Sequence, residues 1–248
     1  MLYNLRKILR PLVGLIRCAE KRLSAHVPDQ LFKDRSDIQD VFSSIYNNNV
    51  WGQGSGGGST LDATKEYVHF LQNFIQEKKI QSVLDIGCGD WRFSAFVNWT
   101  GVQYFGIDVV STVIDANIQN FTRDNIHFKL QNPLNADFIM PKVDLVIIKD
   151  VLQHLSNDNV FKMLKLLCQA KYVLATNDYA KRNLDALNGD TRPLNLLVEP
   201  FNLKALEVLI FGDKRTVLLV NEQPEDVNKK EAVEELVNRK QTKAVTSL

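Results

Sequence analysis

Cysteine is scarce in this chain: Cys18, Cys88 and Cys168 are the only three in 248 residues, widely spaced and odd in number. They offer neither a disulfide framework nor a cluster with metal-ligand spacing, so no metal is expected and a reducing compartment suits the protein. An excess of one charge is missing too. Thirty Lys and Arg against twenty-nine Asp and Glu leave a net charge of +1, which gives no global pull toward nucleic acid. Long apolar runs are also absent. The stretch Pro11 to Ile16 is far too short to span a bilayer, and Arg17 interrupts it before any small-residue cleavage site, so a cytoplasmic location is expected. No large inserted substrate domain is visible. What remains, 45% hydrophobic and 24% charged, is the make-up of a soluble globule long enough for one α/β domain with a sizeable core.

One further absence sharpens the most informative stretch, Ser82 to Trp91, which reads S-V-L-D-I-G-C-G-D-W. An apolar run enters Asp85 and then Gly87 and Gly89, the pattern of a buried parallel strand breaking into a tight turn that a ligand can approach. The dinucleotide fingerprint requires a third glycine three residues after the second. Arg92 stands there instead, and Asp90 puts negative charge where a diphosphate would lie. Both disfavour NAD or FAD. Asp85 and Asp90 suit an ammonium or a sulfonium, and S-adenosylmethionine carries both. Tyr104 to Asp108 reads as a second strand ending in a carboxylate, at about the separation where an acid takes ribose hydroxyls.

The motifs D-I-G-C-G-D, G-I-D-V and D-L-V-I-I-K-D-V-L-Q-H-L, in that order on successive expected strands, resemble the class I S-adenosylmethionine-dependent methyltransferases. The resemblance spans roughly Thr60 to Glu222. It implies an α/β, Rossmann-like, doubly wound and mostly parallel seven-stranded sheet with a C-terminal antiparallel hairpin, and S-adenosyl-L-methionine as cofactor. On that reading Asp85 and Asp90 hold the methionine amine, the Gly87 and Gly89 backbone permits contact, Asp108 binds the ribose, and Val109 packs on the adenine. Asn132 accepts from the adenine amino group, although many relatives place an acid there; a polar turn before Pro133 is the alternative. Asp150 lies where such enzymes bring cofactor and acceptor together.

Along the chain, residues 1–46 read as a basic amphipathic helical extension, its helix over Met1 to Val27 with Leu2, Leu5, Leu9, Leu12 and Ile16 at helical spacing. It suits either docking on the domain or contact with an anionic membrane surface or a partner protein. Residues 47–59 read as a glycine-rich loop or linker, or as a lid that folds over the cofactor and brings Ser59 or Thr60 near the methionine carboxylate. The methyltransferase domain is expected over 60–223 and a charged tail over 224–248. Ser59 with Asp62 resembles a capping box for a helix to about Lys79. Strands are expected at 82–86, 104–109, 126–131, 143–149 and 172–176, helices at 92–99, 111–121 and 157–170, and a hairpin across Gly212-Asp213-Lys214.

His154 follows Asp150 by four residues, one helical turn on, so both can face one cleft. Either is a candidate to take a proton from the attacking oxygen or nitrogen, and a histidine packed beneath Leu155 is the bland alternative. Asp178, just past the fifth strand on the same rim, is a candidate contact for the acceptor. Arg192 is a candidate fork for an anionic acceptor, against a plain surface salt bridge. The function expected is methyl transfer to O or N of a small-molecule or sugar-like acceptor, with no nucleic-acid partner. A protein acceptor and a non-catalytic cofactor-binding module are the rivals.

Overall fold

A computed structural model describes residues 35, 37–52 and 54–221. The basic helix expected over Met1 to Val27, Cys18 and the charged tail 224–248 lie outside the described residues.

Within the segment read as a basic extension, a short helix stands out, α1 (Ile38–Asn47). Asp37 caps it, accepting from the N–H groups of Gln39 and Asp40 at 2.9 and 3.2 Å, which satisfies two donors that have no partner inside the helix. Ile38, Val41, Phe42 and Ile45 recur at helical spacing and are buried. The next helix, α2 (Leu61–Glu77), is capped by Thr60, whose Oγ1 accepts from the Ala63 N–H at 3.3 Å. The capping box at Ser59 and Asp62 is not formed. Ser59 ends a single 3-10 turn (Gly57–Ser59), and its hydroxyl donates to the Ser55 carbonyl at 3.3 Å.

Seven strands follow: β1 (Ser82–Ile86), β2 (Gln103–Asp108), β3 (Ile126–Leu130), β4 (Leu145–Lys149), β5 (Tyr172–Asp178), β6 (Leu206–Phe211) and β7 (Lys214–Val220). They form one sheet in the order β3-β2-β1-β4-β5-β7-β6. The first five are parallel, and β7 runs antiparallel between β5 and β6. The doubly wound sheet with a closing hairpin is therefore present. Alternation along β1 sends Val83 to a core shared with Tyr67 and Leu71 of α2, and Leu84 and Ile86 to a core on the other face with α1. Helices α3 (Ser111–Phe121) and α4 (Asn157–Leu167) contribute Ile114 to the first core and Val160, Met163, Leu164 and Leu167 to the second. No helix among the described residues is long and apolar enough to cross a membrane.

The helix expected over 92–99 is absent, and one 3-10 turn (Ser94–Phe96) takes its place. Trp91 is the reason. Its backbone adopts φ +54° and its side chain is 2% exposed, packed on Tyr104, Phe121 and Phe128 at centroid distances of 5.7, 4.9 and 5.5 Å. Burying an indole immediately after the turn bends the chain out of helical register. Elsewhere the expected limits shift by a few residues: β4 starts at Leu145 and α4 stops at Leu167, while β5 and β7 each extend until Asp178 faces Lys214 across the ladder.

Candidate cofactor and active site

The order of strands reverses at β1, which lies between β2 and β4, and in open α/β sheets ligands bind beyond the carboxyl ends of strands at such a reversal. Beyond β1 the chain turns through Gly87 and Gly89, at φ +71° and +53°. The N–H groups of Gly87 and Cys88 donate to the Ile107 carbonyl at 2.8 and 3.0 Å, which ties the turn to β2. Asp108 ends β2 and fixes the turn from the other side. Its two carboxylate oxygens accept from the N–H groups of Gly89 and Val110, both at 3.0 Å. Each oxygen keeps a second lone pair for a ligand hydroxyl. Burial pushes the Asp108 carboxyl up, and the backbone N–H bonds pull it back.

Asp85 lies behind this turn rather than in front of it. It is 3% exposed, and its Oδ2 accepts from the Tyr104 hydroxyl at 2.6 Å. Burial pushes its carboxyl up to about 7, against the lowering effects of the Tyr104 hydroxyl and the Lys149 cation. The folded state therefore holds a proton that the unfolded chain, at its ordinary 3.8, releases. Asp85 adds stability below that ordinary value and loses it as pH rises through about 7. Asp85→Asn keeps an acceptor for Tyr104 and removes the titration. Its unfolding free energy should fall less between pH 5 and pH 8 than that of the wild type, by roughly 2 kcal/mol in urea titrations.

Asp90 sits at the front of the turn but is already engaged. Its carboxylate is 3.1 Å from the Arg92 guanidinium and accepts from the Ser55 N–H at 3.2 Å. The Asp90 N–H donates to Ser55 Oγ at 2.8 Å, and that oxygen also shares a hydrogen bond with the Tyr46 hydroxyl at 2.8 Å. Space is tight here: a Cβ on Gly89 would run into Ser55 Oγ, and one on Gly54 into Asp90 Oδ2. Thr60 is spent on its helix cap. Val109 is half-buried and packs against the core, and Asn132 turns its amide oxygen onto the Leu134 N–H at 2.9 Å. Asp108, Gly89 and Asp90 thus converge on one turn, while Asp85 backs it and Thr60 serves a neighbouring helix.

At the end of β4, Asp150 has φ +58° and both its oxygens are capped by ammonium groups, Oδ2 by Lys149 at 2.6 Å and Oδ1 by Lys214 at 2.7 Å. Lys214 also bonds Asp178 at 2.8 Å. These are four charges of alternating sign. Although burial alone would raise the Asp150 carboxyl, the two lysines hold it below its ordinary range. Lys149 is buried over the Phe93 ring, 5.1 Å from its centroid, and donates to the Gly58 carbonyl at 3.1 Å.

His154 lies in a 3-10 turn (Leu152–His154) after β4 and is 7% exposed. Its Nδ1 is 3.1 Å from the Asp190 carbonyl, which only accepts, so Nδ1 carries the proton and Nε2 is left as the acceptor. Burial lowers its affinity for a second proton, so the neutral ring persists below the ordinary histidine range. Trp51 covers the imidazole at 4.7 Å between centroids, and Phe42 meets its edge. Arg192 serves its own loop: it donates to the Leu184 and Leu155 carbonyls and to Asn157 Oδ1. The side chain is buried, and its Nε is enclosed without a hydrogen-bond partner.

A cavity of about 560 Å³ opens between the 3-10 turn at Ser94–Phe96 and α3, and includes Tyr46, Asp90, Arg92, Phe96 and Asn117 in its lining. It shares Asp90 with the turn, but Asp108, Asp150 and His154 do not line it. No group of three or more potential metal ligands occurs among the described residues.

The sequence reading did not assign Tyr46, Trp51, Ser55, Lys149 or Lys214. Tyr46 was hidden in the stretch read as a basic extension. Lys214 reaches the site through hairpin register, which places it opposite Asp178. Trp51 was the only visible signal, since a plain linker seldom begins with a tryptophan.

Residues 83–172 match the sequence pattern of a family described as "Methyltransferase domain". Phosphoethanolamine N-methyltransferase of Plasmodium falciparum is 26% identical over 137 residues, 54% of this chain. The chain spans about half the length of that curated relative, 50%. Among solved structures, magnesium protoporphyrin IX methyltransferase from Synechocystis PCC 6803 with bound S-adenosylhomocysteine has a TM-score of 0.52 at 15% identity, covering 77% of this chain and 100% of that one. N-methyltransferase NodS from Bradyrhizobium japonicum, with the same ligand, has a TM-score of 0.51 at 13% identity, covering 66% and 89%.

Proposed function

We propose that the chain is a class I S-adenosylmethionine-dependent methyltransferase and that it transfers the methyl group to an oxygen or nitrogen of a small-molecule or sugar-like acceptor. One observation carries the cofactor side. Asp108 and the Gly87–Gly89 turn meet where the strand order reverses, and the carboxylate that braces the turn through the Gly89 and Val110 N–H groups keeps lone pairs for a ligand. The residues fit the donor: Asp108 for the ribose hydroxyls, Val109 for the adenine face, Asp90 for the methionine amine. S-adenosylmethionine, when bound, supplies an activated methyl group on a sulfonium.

What the protein adds is alignment, exclusion of water and a place for the proton. Asp150, held ionised between two lysines, acts as a fixed negative charge at the carboxyl end of β4. His154 then takes the acceptor's proton at Nε2, since Nδ1 is committed to the Asp190 carbonyl. A ring that stays neutral near pH 7 can act without prior deprotonation. The name of the curated relative, an N-methyltransferase of a small amine, supports nitrogen as the acceptor atom.

Calorimetry should detect S-adenosylhomocysteine binding at sub-millimolar Kd and no heat from NADH. Binding of NADH alone would reject the cofactor assignment. Transfer of labelled methyl to a metabolite fraction, rather than to protein, would support the acceptor class.

A further inference from the structure

The place of the donor's polar end at Gly89 and Asp90 is held by the protein's own chain. Ser55 presents a hydroxyl to the Asp90 N–H and a backbone N–H to the Asp90 carboxylate, the pair of contacts that a small zwitterion would make. Its Oγ fills the space that the missing Gly89 side chain leaves open. Tyr46 on α1 holds that oxygen from the far side at 2.8 Å. Farther along, the Gly58 carbonyl is fastened to Lys149 at 3.1 Å. At the other end of the same segment, Trp51 lies on the ring of His154. One short stretch thus covers both the donor turn and the proposed proton acceptor.

We propose that residues 51–52 and 54–58 act as a self-ligand latch: Ser55 stands in for the donor's methionine end, the donor must displace it, and its departure lifts Trp51 from His154, so that the acceptor side opens only after the donor has bound. This rests on the cofactor reading above. The physical basis is competition. The latched state makes hydrogen bonds that donor binding must give up, so the apparent affinity is reduced by the fraction of molecules latched. The segment can move because Gly52, Gly54 and Gly56 supply left-handed backbone at φ +84°, +60° and +80° without side-chain anchors.

The test is calorimetric titration of wild-type protein and Ser55→Ala with S-adenosylhomocysteine, paired with tryptophan emission of wild-type protein and Trp51→Phe. Ser55→Ala, which loses the bonds to Asp90 N–H and Tyr46, should bind roughly threefold to tenfold more tightly. The emission change on ligand addition should saturate with the calorimetric midpoint in wild type and be absent from Trp51→Phe. Binding by both proteins with equal affinity, weaker binding by Ser55→Ala, or an emission change that survives in Trp51→Phe would overturn the latch and leave the cofactor reading intact. Absence of binding from wild type and Ser55→Ala alike would remove both.

Discussion

Asp108→Ala is expected to weaken S-adenosylhomocysteine binding by about a hundredfold or more, measured by calorimetry on protein whose fold is verified by circular dichroism. A hydrogen bond to a charged group contributes about 1.5–3 kcal/mol, and a ribose presents two hydroxyls to this carboxylate. The same substitution removes the acceptor for the Gly89 and Val110 N–H groups, so the turn loses its brace together with its ligand contact. Asp108→Asn separates these effects. Its carbonyl oxygen still braces one N–H, but it has lost the charge, and its affinity should fall between those of wild type and Asp108→Ala. Unchanged affinity in a folded Asp108→Ala protein would place the ribose elsewhere.

Gly87→Ala should destabilise the protein by about 3 kcal/mol, because two costs coincide. A side chain at φ +71° is strained by about 1–2 kcal/mol, and the added Cβ would collide with Val151 Cγ2. From sequence, Gly87→Val is expected to abolish binding by obstructing the ligand. The structure gives a different reason: the obstruction is Val151, part of the protein itself, and the turn fails before any ligand arrives. A double-mutant cycle in urea distinguishes the two. Val151→Ala makes room, so the pair should be more stable than the sum of the single losses by about 1 kcal/mol or more. Additive losses would show that the clash with Val151 is not what makes glycine necessary.

The parallel strands were legible because each is a short apolar run ending in a polar residue at a turn, and burial on both faces leaves such runs little alternative. The same runs marked Asp108, Asp150 and Asp178 as strand-end carboxylates. Trp91 and Asp85 show where the reading ran out. The dipeptide Trp91-Arg92 opens what looks like a helix, but the indole has an aromatic pocket of Tyr104, Phe121 and Phe128 to fill, and filling it replaces a helix with one 3-10 turn. Asp85 was read as a ligand contact from its position before the glycines. Strand alternation instead turns it into the core with Val83, where Tyr104 meets it. Arg192 reads as a fork for an anionic acceptor or as a surface salt bridge; its partners are instead the Leu184 and Leu155 carbonyls and the Asn157 amide oxygen, which a sequence does not display.

The sequence by itself determined the sheet and its turn, since hydrophobic runs, glycines and strand-end acids act locally or through burial that any compact fold must provide. Only the tertiary structure decided what those groups face: Lys149 and Lys214 on Asp150, Trp51 on His154, Ser55 on Asp90. The physical reason is range. Each of those contacts joins residues far apart in the chain or depends on strand register and on which way a side chain turns, and a charge or ring finds its partner only after the backbone has been folded around it.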